Sequence, residues 1–270
     1  MNRILTVLAC ALIGAALFAG GAWWHATHGA PVASPTAAIA SSPPVATVAP
    51  APSAPSIHHP IAAATAVSRE PSIGFQGTLI DLFGDRAVAA YFRPDDFAHR
   101  LAATVDNLGR SAAPAGMWPM VPVSGRFATS RDASGSETIS DENATRYAPY
   151  VTLLERVDLR GLVQGYVDLY PDIQHAYEEL GYPNGYFNDR LTDVLDQLIS
   201  TPVPAAPLHV HLPSVAGNVQ PTRPWLLYEF DDPALASLSA GQKLLLRMGP
   251  TNERRVEKRL VELRRLLVAR

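Results

Sequence analysis

The chain has 270 residues, and only 17% of them are charged, against roughly 25% in an average soluble protein. Its formal net charge of −3 excludes a chain built throughout to bind nucleic acid, which would need a strongly positive balance. A single cysteine excludes a disulfide framework within the chain and a cysteine-rich zinc module.

The charge is unevenly distributed along the chain. Between Arg3 and Arg69 lie 65 consecutive residues without Asp, Glu, Lys or Arg. Residues 69–270 hold 46 of the 47 charges, which is about 23% of that part and an ordinary fraction for a folded domain. We therefore interpret residues 1–70 and the single domain predicted at 71–270 separately.

Residues 1–24 are predicted to form a transmembrane anchor. Residues 4–22 are 19 uncharged and mostly apolar residues. A helix of that length spans about 29 Å, which matches a hydrocarbon core of roughly 30 Å. Trp23 and Trp24 follow directly, and indole rings are typical of the membrane–water interface.

The flanks of this segment predict its orientation. Arg3 precedes the apolar residues, and no Lys or Arg follows them until Arg69. The positive-inside rule then places the N-terminus in the cytoplasm and everything after Trp24 outside, as a single-pass membrane protein. A cleaved signal peptide is the alternative, because small residues around positions 19–22 fit a cleavage site.

Residues 25–70 are predicted to be a disordered linker rich in Pro and Ala. Eight prolines lie between positions 31 and 67, among Ala, Ser, Thr and Val. Such a segment cannot build a packed core, and its 37 residues could reach on the order of 115 Å when extended. We expect His58 and His59 to be solvated linker residues rather than metal ligands.

The domain at 71–270 is predicted to be mainly α, or α+β with one small β-hairpin. Phe97, Leu101 and Val105 recur four residues apart, which indicates a helix that begins after Pro94-Asp95-Asp96 and ends at Gly109. The hairpin is predicted to pair Arg126–Ser130 with Glu137–Ser140.

The second half of the domain also has a helical pattern. A long helical stretch at 159–180 contains Pro171, so we expect a kink or two abutting helices there. Ser239 and Gln242 match a capping box that starts a helix. Val256, Leu260, Leu263 and Leu267 predict an apolar seam along the last helix.

A dense polar and aromatic run follows Gly181. Tyrosine offers rigid contact area together with a hydroxyl, so such a run suits a binding surface. The alternative is a tight corner between helices whose aromatic rings plug the core. The candidate binding residues are Tyr182, Asn184, Tyr186, Asn188, Asp189 and Arg190.

The C-terminal stretch has the opposite charge to the rest of the domain. Residues 243–270 carry nine Lys or Arg and three Glu, a net +6, whereas residues 69–242 have a net charge of −10. One interpretation is a basic helix for an anionic partner or lipid headgroups, with Arg254 and Lys258 on its binding face. The other is a terminal helix whose basic face is neutralised by the acidic body.

Two further patterns contain residue types that can act in catalysis or metal binding. Asp168, Asp172, His175 and Glu179 are spaced to share one stripe of a helix, where carboxylates could act as acid and base. His209 and His211 would share one face of a strand, as a candidate ligand pair without evident partners. We assign no catalytic residue, metal ligand or cofactor from these patterns.

Several runs of the sequence are specific enough to compare with a family. They are residues 57–61, 146–150, 176–183, 185–190 and 238–250. Together with the anchor and linker, they resemble the bacterial proteins grouped as domain of unknown function family 3014, over roughly residues 57–268. The resemblance implies a single-span envelope protein in the periplasm. It implies no activity, cofactor or catalytic residue.

The function expected from the sequence is a binding or scaffold module of the cell envelope. The domain would be held at the inner membrane and would meet an envelope protein or a cell-wall polymer. One alternative is an envelope hydrolase that uses Asp168, Asp172 or Glu179. Another is a structural protein that self-associates, and the oligomeric state is left open.

Overall fold

The computed structural model describes residues 56–61, 71–204, 207–214 and 222–269 of the chain. Within these residues the fold is mostly helical with two very small antiparallel sheets, which confirms the predicted α+β class. The ten α-helices found there are α1 Pro71–Phe83, α2 Asp85–Tyr91, α3 Phe97–Leu108, α4 Glu142–Arg156, α5 Leu159–Asp168, α6 Tyr170–Glu179, α7 Phe187–Ile199, α8 Pro233–Ala236, α9 Ala240–Arg247 and α10 Pro250–Val268. The strands are β1 Thr129–Arg131, β2 Glu137–Ile139, β3 Val210–His211 and β4 Glu229–Phe230.

Helix α3 is a central element of the core. Phe97, Leu101 and Val105 are all buried on one face, as their spacing predicts. The helix is bounded by Asp96 and Gly109, the predicted start and stop signals. Its apolar face packs against α6 and α7, which carry the candidate binding residues between them.

Helix α10 closes the other side of the core. Its predicted seam of Val256, Leu260, Leu263 and Leu267 is buried. Through this seam the helix packs against α4, α5 and α7. A single apolar cluster therefore runs from α1 to the last turn of α10.

Proline and capping residues set several helix boundaries. Pro171 occupies the first turn of α6, so the long helical stretch is divided into the abutting helices α5 and α6. Ser239 and Gln242 form the predicted capping box of α9 with both reciprocal hydrogen bonds. Asp232 caps α8 through a hydrogen bond from the amide of Ala234.

The predicted hairpin is present, but its first strand begins three residues later than expected. Thr129 pairs with Ile139 and Arg131 with Glu137. The turn is fixed by Asp132, whose carboxylate accepts hydrogen bonds from the amides of Ser134 and Ser136. A second small sheet, β3 with β4, joins this hairpin through a bridge between Thr138 and His209.

The predicted anchor at 1–24 lies outside the described residues, as does most of the predicted linker at 25–70. In the part of the chain that the structure does describe, none of the helices has both the length and the apolar composition needed to cross a bilayer.

Candidate functional site

The candidate binding residues lie at the corner between α6 and α7. Gly181 ends α6 with a φ of 104°, a left-handed conformation that favours glycine. A Cβ on Gly185 would approach a ring carbon of Tyr177 to 2.8 Å and the carbonyl oxygen of Tyr182 to 3.2 Å. These two glycines allow the chain to turn tightly over the aromatic rings below.

Three side chains of this corner hold a distant segment of the same chain. The carboxylate of Asp189 accepts hydrogen bonds from the amides of His58 at 3.0 Å and His59 at 2.7 Å. The hydroxyl of Tyr186 accepts from the amide of Ile61 at 2.7 Å. The side-chain amide of Asn188 donates to the carbonyl oxygen of His59 at 2.8 Å. We call Tyr186, Asn188 and Asp189 the polar clamp.

The clamp corrects one expectation from the sequence. His58 and His59 belong to the predicted disordered linker, but residues 56–61 are held against the domain, and of these two side chains only that of His58 is exposed as expected. The four hydrogen bonds all involve backbone groups of the segment. The side chain of Ile61 also packs against the apolar core. The docked segment therefore belongs structurally to the folded domain.

Asn188 is positioned by buried neighbours. The residue is 1% exposed. Its Oδ1 accepts from the hydroxyl of Tyr166 at 3.0 Å, and its backbone amide donates to the hydroxyl of Tyr170 at 3.3 Å. Burial raises the pKa of both tyrosine hydroxyls well above the ordinary value, so they stay protonated at neutral pH. The Asn188 amide is thereby aimed at the docked segment.

Two other predicted binding residues have their polar groups engaged inside the domain. Arg190 donates to the carboxylate of Asp106 at 3.0 Å and to its carbonyl oxygen at 2.5 Å. The hydroxyl of Tyr182 donates to the same carboxylate at 3.1 Å and accepts from Arg110. The ring of Tyr182 stacks on Tyr177 with centroids 4.7 Å apart. These contacts fit the structural alternative for this part of the corner.

The remaining predicted binding residues are exposed. Asn184 lies at the tip of the corner, and Arg254 and Lys258 lie on the outer face of α10. Neighbouring arginines of α10 are neutralised by the body of the domain. Arg255 pairs with Glu155 at 2.6 Å and Arg264 with Asp196 at 2.8 Å. The body of the domain therefore neutralises the face of the basic helix that carries Arg255 and Arg264.

The candidate acid–base stripe does not form one cluster. Asp168 ends α5 and accepts from Gln164, whereas Glu179 ends α6 and bonds to His99 at 2.6 Å. In the described parts of the chain, no hydrogen bond or ion pair joins Asp168, Asp172 and Glu179 to one another. Pro171 starts a new helix and so separates Asp168 from the other residues of the stripe, whereas within α6 His175 pairs with Glu179 at 3.4 Å.

The two histidines at β3, His209 just before the strand and His211 within it, also have separate partners. His209 bonds through Nδ1 to the hydroxyl of Ser136 at 2.9 Å. His211 bonds through Nδ1 to the carboxylate of Asp231 at 2.6 Å. Across residues 56–61, 71–204, 207–214 and 222–269 there is no group of His, Cys, Asp and Glu with the arrangement of a metal site.

Three polar residues were missed by the sequence analysis. Asp106 lies on α3 at a position that an amphipathic pattern does not distinguish, yet it is buried beneath Arg190. His99 bridges Asp96 and Glu179, with both ring nitrogens 2.6 Å from a carboxylate oxygen. Glu253 is 3% exposed, and burial raises the pKa of its carboxyl group to about 7. No local motif marks any of them.

Comparison with known proteins assigns a family but no activity. No curated protein matches the chain. No solved structure matches it either. The family described as "Protein of unknown function (DUF3014)" matches residues 97–264, which include α3, the whole α6–α7 corner and most of α10. The chain therefore belongs to this family, as the runs of residues in its second half indicated.

Proposed function

We propose that the protein is a binding or scaffold module of the bacterial cell envelope. Residues 1–24 would hold it at the inner membrane, and residues 25–55 would lead to a periplasmic domain. The partner would be an envelope protein or a cell-wall polymer. The observation that carries the proposal is the polar clamp, which fixes residues 56–61 to the corner between α6 and α7.

The clamp holds its segment as peptide-binding sites do. Each of its four hydrogen bonds is made to a backbone amide or carbonyl group, so the corner recognises the backbone of a segment that bends at His58 and His59. The side chains of Ile57 and His58 stay exposed. A linker that ends at residue 56 would therefore be attached to the domain at one fixed point, beside Asp189.

A fixed attachment point matters for a tethered module because it determines which surfaces remain available. The side chains of Asn184, Arg254 and Lys258 are exposed and make no hydrogen bond or ion pair with other described residues. Tethering also raises the effective concentration of the domain near the membrane, so a modest affinity for the partner would be sufficient.

The proposal is tested by photocrosslinking of the full chain in its native membrane. A photoreactive residue replaces Asn184, with exposed Gln76 of α1 as the matched control. We expect a discrete adduct with an envelope protein or cell-wall fragment from position 184 and none from position 76. An adduct that is absent at position 184, or equal at the two positions, would overturn the proposal.

Location is tested separately. A reporter that is active only in the periplasm, fused after Arg270, should be active in the full chain. If this reporter is inactive, and a second reporter that works only in the cytoplasm is active at the same position, the predicted orientation is overturned. The crosslinking result remains interpretable in that case.

A further inference from the structure

The outer face of α10 carries a continuous stripe of basic and apolar side chains. Arg254, Lys258, Val261, Arg265 and Val268 follow one another at intervals of four, three, four and three residues. This spacing places all five on one side of the helix. All five are exposed, with Val261 at 48% and Val268 at 45%. We call these five residues the α10 stripe.

The stripe lies opposite the buried seam of the helix. The seam residues repeat on the face that packs against α4, α5 and α7, so the stripe points away from the domain. Fourteen residue steps separate its two ends, which corresponds to about 21 Å of helix. The domain therefore presents a long, narrow and nearly straight face to its surroundings.

The cations of the stripe differ from their neighbours on the same helix. Arg255 and Arg264 on the flanks pair with carboxylates of α4 and α7, and Arg259 pairs with Glu262. Arg254, Lys258 and Arg265 make no ion pair with any residue that the structure describes. The acidic body thus neutralises the flanks of α10 and leaves its outermost row positive.

Carboxylates of the helix reduce this charge only at the edges. Glu257 lies beside the row formed by Arg254 and Val261, and Glu262 lies on the other side, where it is already bonded to Arg259. Both are half-buried, whereas the three cations are exposed. An approaching anionic surface would meet the cations first.

We propose that the α10 stripe docks on an anionic phospholipid bilayer surface. Lys and Arg side chains are attracted to an anionic membrane surface, and apolar side chains between them can enter the headgroup layer. Each Lys or Arg near an anionic membrane strengthens binding about fivefold, so three give on the order of 100-fold. Arg254, Lys258 and Arg265 would contact lipid phosphates, and Val261 and Val268 would insert between headgroups.

The composition of the stripe favours lipid over an acidic protein. Protein interfaces concentrate their binding energy in buried aromatic or Arg anchors that fill pockets. The stripe has no aromatic residue, its two arginines are exposed, and its two apolar side chains are valines separated by two turns. A flat, fluid anionic surface can match a 21 Å straight row without a shaped pocket, and this length follows from about 1.5 Å per residue.

The inference is tested with the full chain in bilayer nanodiscs, whose two faces are both open to solvent. An environment-sensitive fluorophore is attached at Val268→Cys in a Cys10→Ser background. We expect the label to be shielded from an aqueous quencher at least threefold better in discs containing phosphatidylglycerol than in zwitterionic discs. About 0.5 M salt should abolish the difference, because it screens the attraction.

Charge reversal supplies the matched comparison. The triple variant Arg254→Glu, Lys258→Glu and Arg265→Glu should lose the shielding. The triple variant Arg86→Glu, Arg160→Glu and Arg223→Glu, at exposed cations elsewhere, changes net charge equally and should keep it. Equal quenching in the two kinds of disc, or equal effects of the two triple variants, would overturn the inference. Neither result depends on the crosslinked partner of the proposed function.

Discussion

Arg190 donates through Nε to a carboxylate oxygen of Asp106 at 3.0 Å, across 84 positions of the chain. Asp106 is 7% exposed and also accepts hydrogen bonds from Arg110 and Tyr182. One buried carboxylate thus ties the first turn of α7 to α3. The residues of the polar clamp lie in or next to the same turn. The contacts that stabilise the domain and the contacts that dock residues 56–61 are therefore adjacent in this corner.

The first prediction concerns this ion pair. Arg190→Met leaves Asp106 buried with fewer charged donors, so the free energy of unfolding should fall by roughly 1.5–3 kcal/mol. Urea denaturation measures the change. Arg86→Met, at an exposed cation without an ion pair in the described structure, should alter stability by less than about 0.5 kcal/mol. Equal losses in the two variants would refute a stabilising role for the Asp106 pair.

The second prediction concerns the polar clamp. Asp189→Ala removes the acceptor of both His58 and His59 amides, so their hydrogen exchange should become roughly tenfold faster or more. The measurement is amide exchange of the full chain followed by peptide or residue-level mapping. Asp193→Ala, at an exposed carboxylate four positions later on α7, serves as the control. Unchanged exchange at residues 58 and 59 would show that the clamp does not hold the segment in solution.

The third prediction contrasts two glycines. A Cβ on Gly241 would lie 2.5 Å from Cδ2 of Leu198 and 3.2 Å from the carbonyl oxygen of Leu108. Gly241→Ala should therefore lower the free energy of unfolding by about 1–3 kcal/mol. Gly77 in α1 has no atom within 4 Å of the added carbon, so Gly77→Ala should raise stability by roughly 0.5–1 kcal/mol. Thermal and urea unfolding of both variants would reveal whether the signs differ.

The fourth prediction is a pH dependence at Glu253. Its Oε1 has no hydrogen-bond partner among the described residues, and burial raises its pKa from 4.5 to about 7. The folded state then binds more protons than the unfolded state between these values, so stability should fall as pH rises through that window. In Glu253→Gln, the decrease in the free energy of unfolding over this pH range should be smaller by up to roughly 3 kcal/mol.

Unfolding free energies at about pH 5 and pH 8 test the Glu253 prediction, since these values bracket the raised pKa. Glu142→Gln, at an exposed carboxyl in the first turn of α4, is the control and should leave the slope nearly unchanged. If the unfolding free energy of Glu253→Gln still falls with pH by the same amount, another titratable group is the cause.

The fifth prediction is also a pH dependence, at His99. The hydrogen bond to Glu179 raises the pKa of His99, partly offset by burial, and Asp96 adds to the rise. A raised histidine pKa stabilises the folded state below the unfolded value, and the gain is lost as pH rises through the folded pKa. The stability advantage over His99→Gln should therefore be larger near pH 6 than near pH 8 and should shrink in salt. If the stability difference between the wild-type chain and His99→Gln is independent of pH, His99 is not stabilised as a cation by Glu179 and Asp96.

Patterns that depend on neighbouring residues predicted much of the fold. Spacing placed α3 and the seam of α10 correctly, because a helix buries residues three and four positions apart. The hairpin was predicted with its first strand displaced, since the turn around Asp132 contains several residues with turn preference. The pairing of β3 with β4 was not predicted, because nothing local specifies which distant strands meet.

The candidate site was predicted only in outline. The polar and aromatic run around Tyr186 marked the corner, since such residues seldom cluster without a contact to make. Its occupant, residues 56–61, was hidden by a composition that resembles the preceding linker. Burial of Asp106 and Glu253 arises from helices that meet in three dimensions, and no periodicity identifies which polar residue will lie between them.

The position of α10 has a consequence for how the core is completed during synthesis. The helix is the last described element, yet α4, α5 and α7 all pack against it. Because the chain is synthesised from its N-terminus, these three helices are made before α10. Their apolar faces remain exposed until Leu267 has been added. Completion of the core is therefore delayed until α10 has been synthesised, and loss of its final four turns would leave an intermediate with exposed apolar faces for proteases to remove.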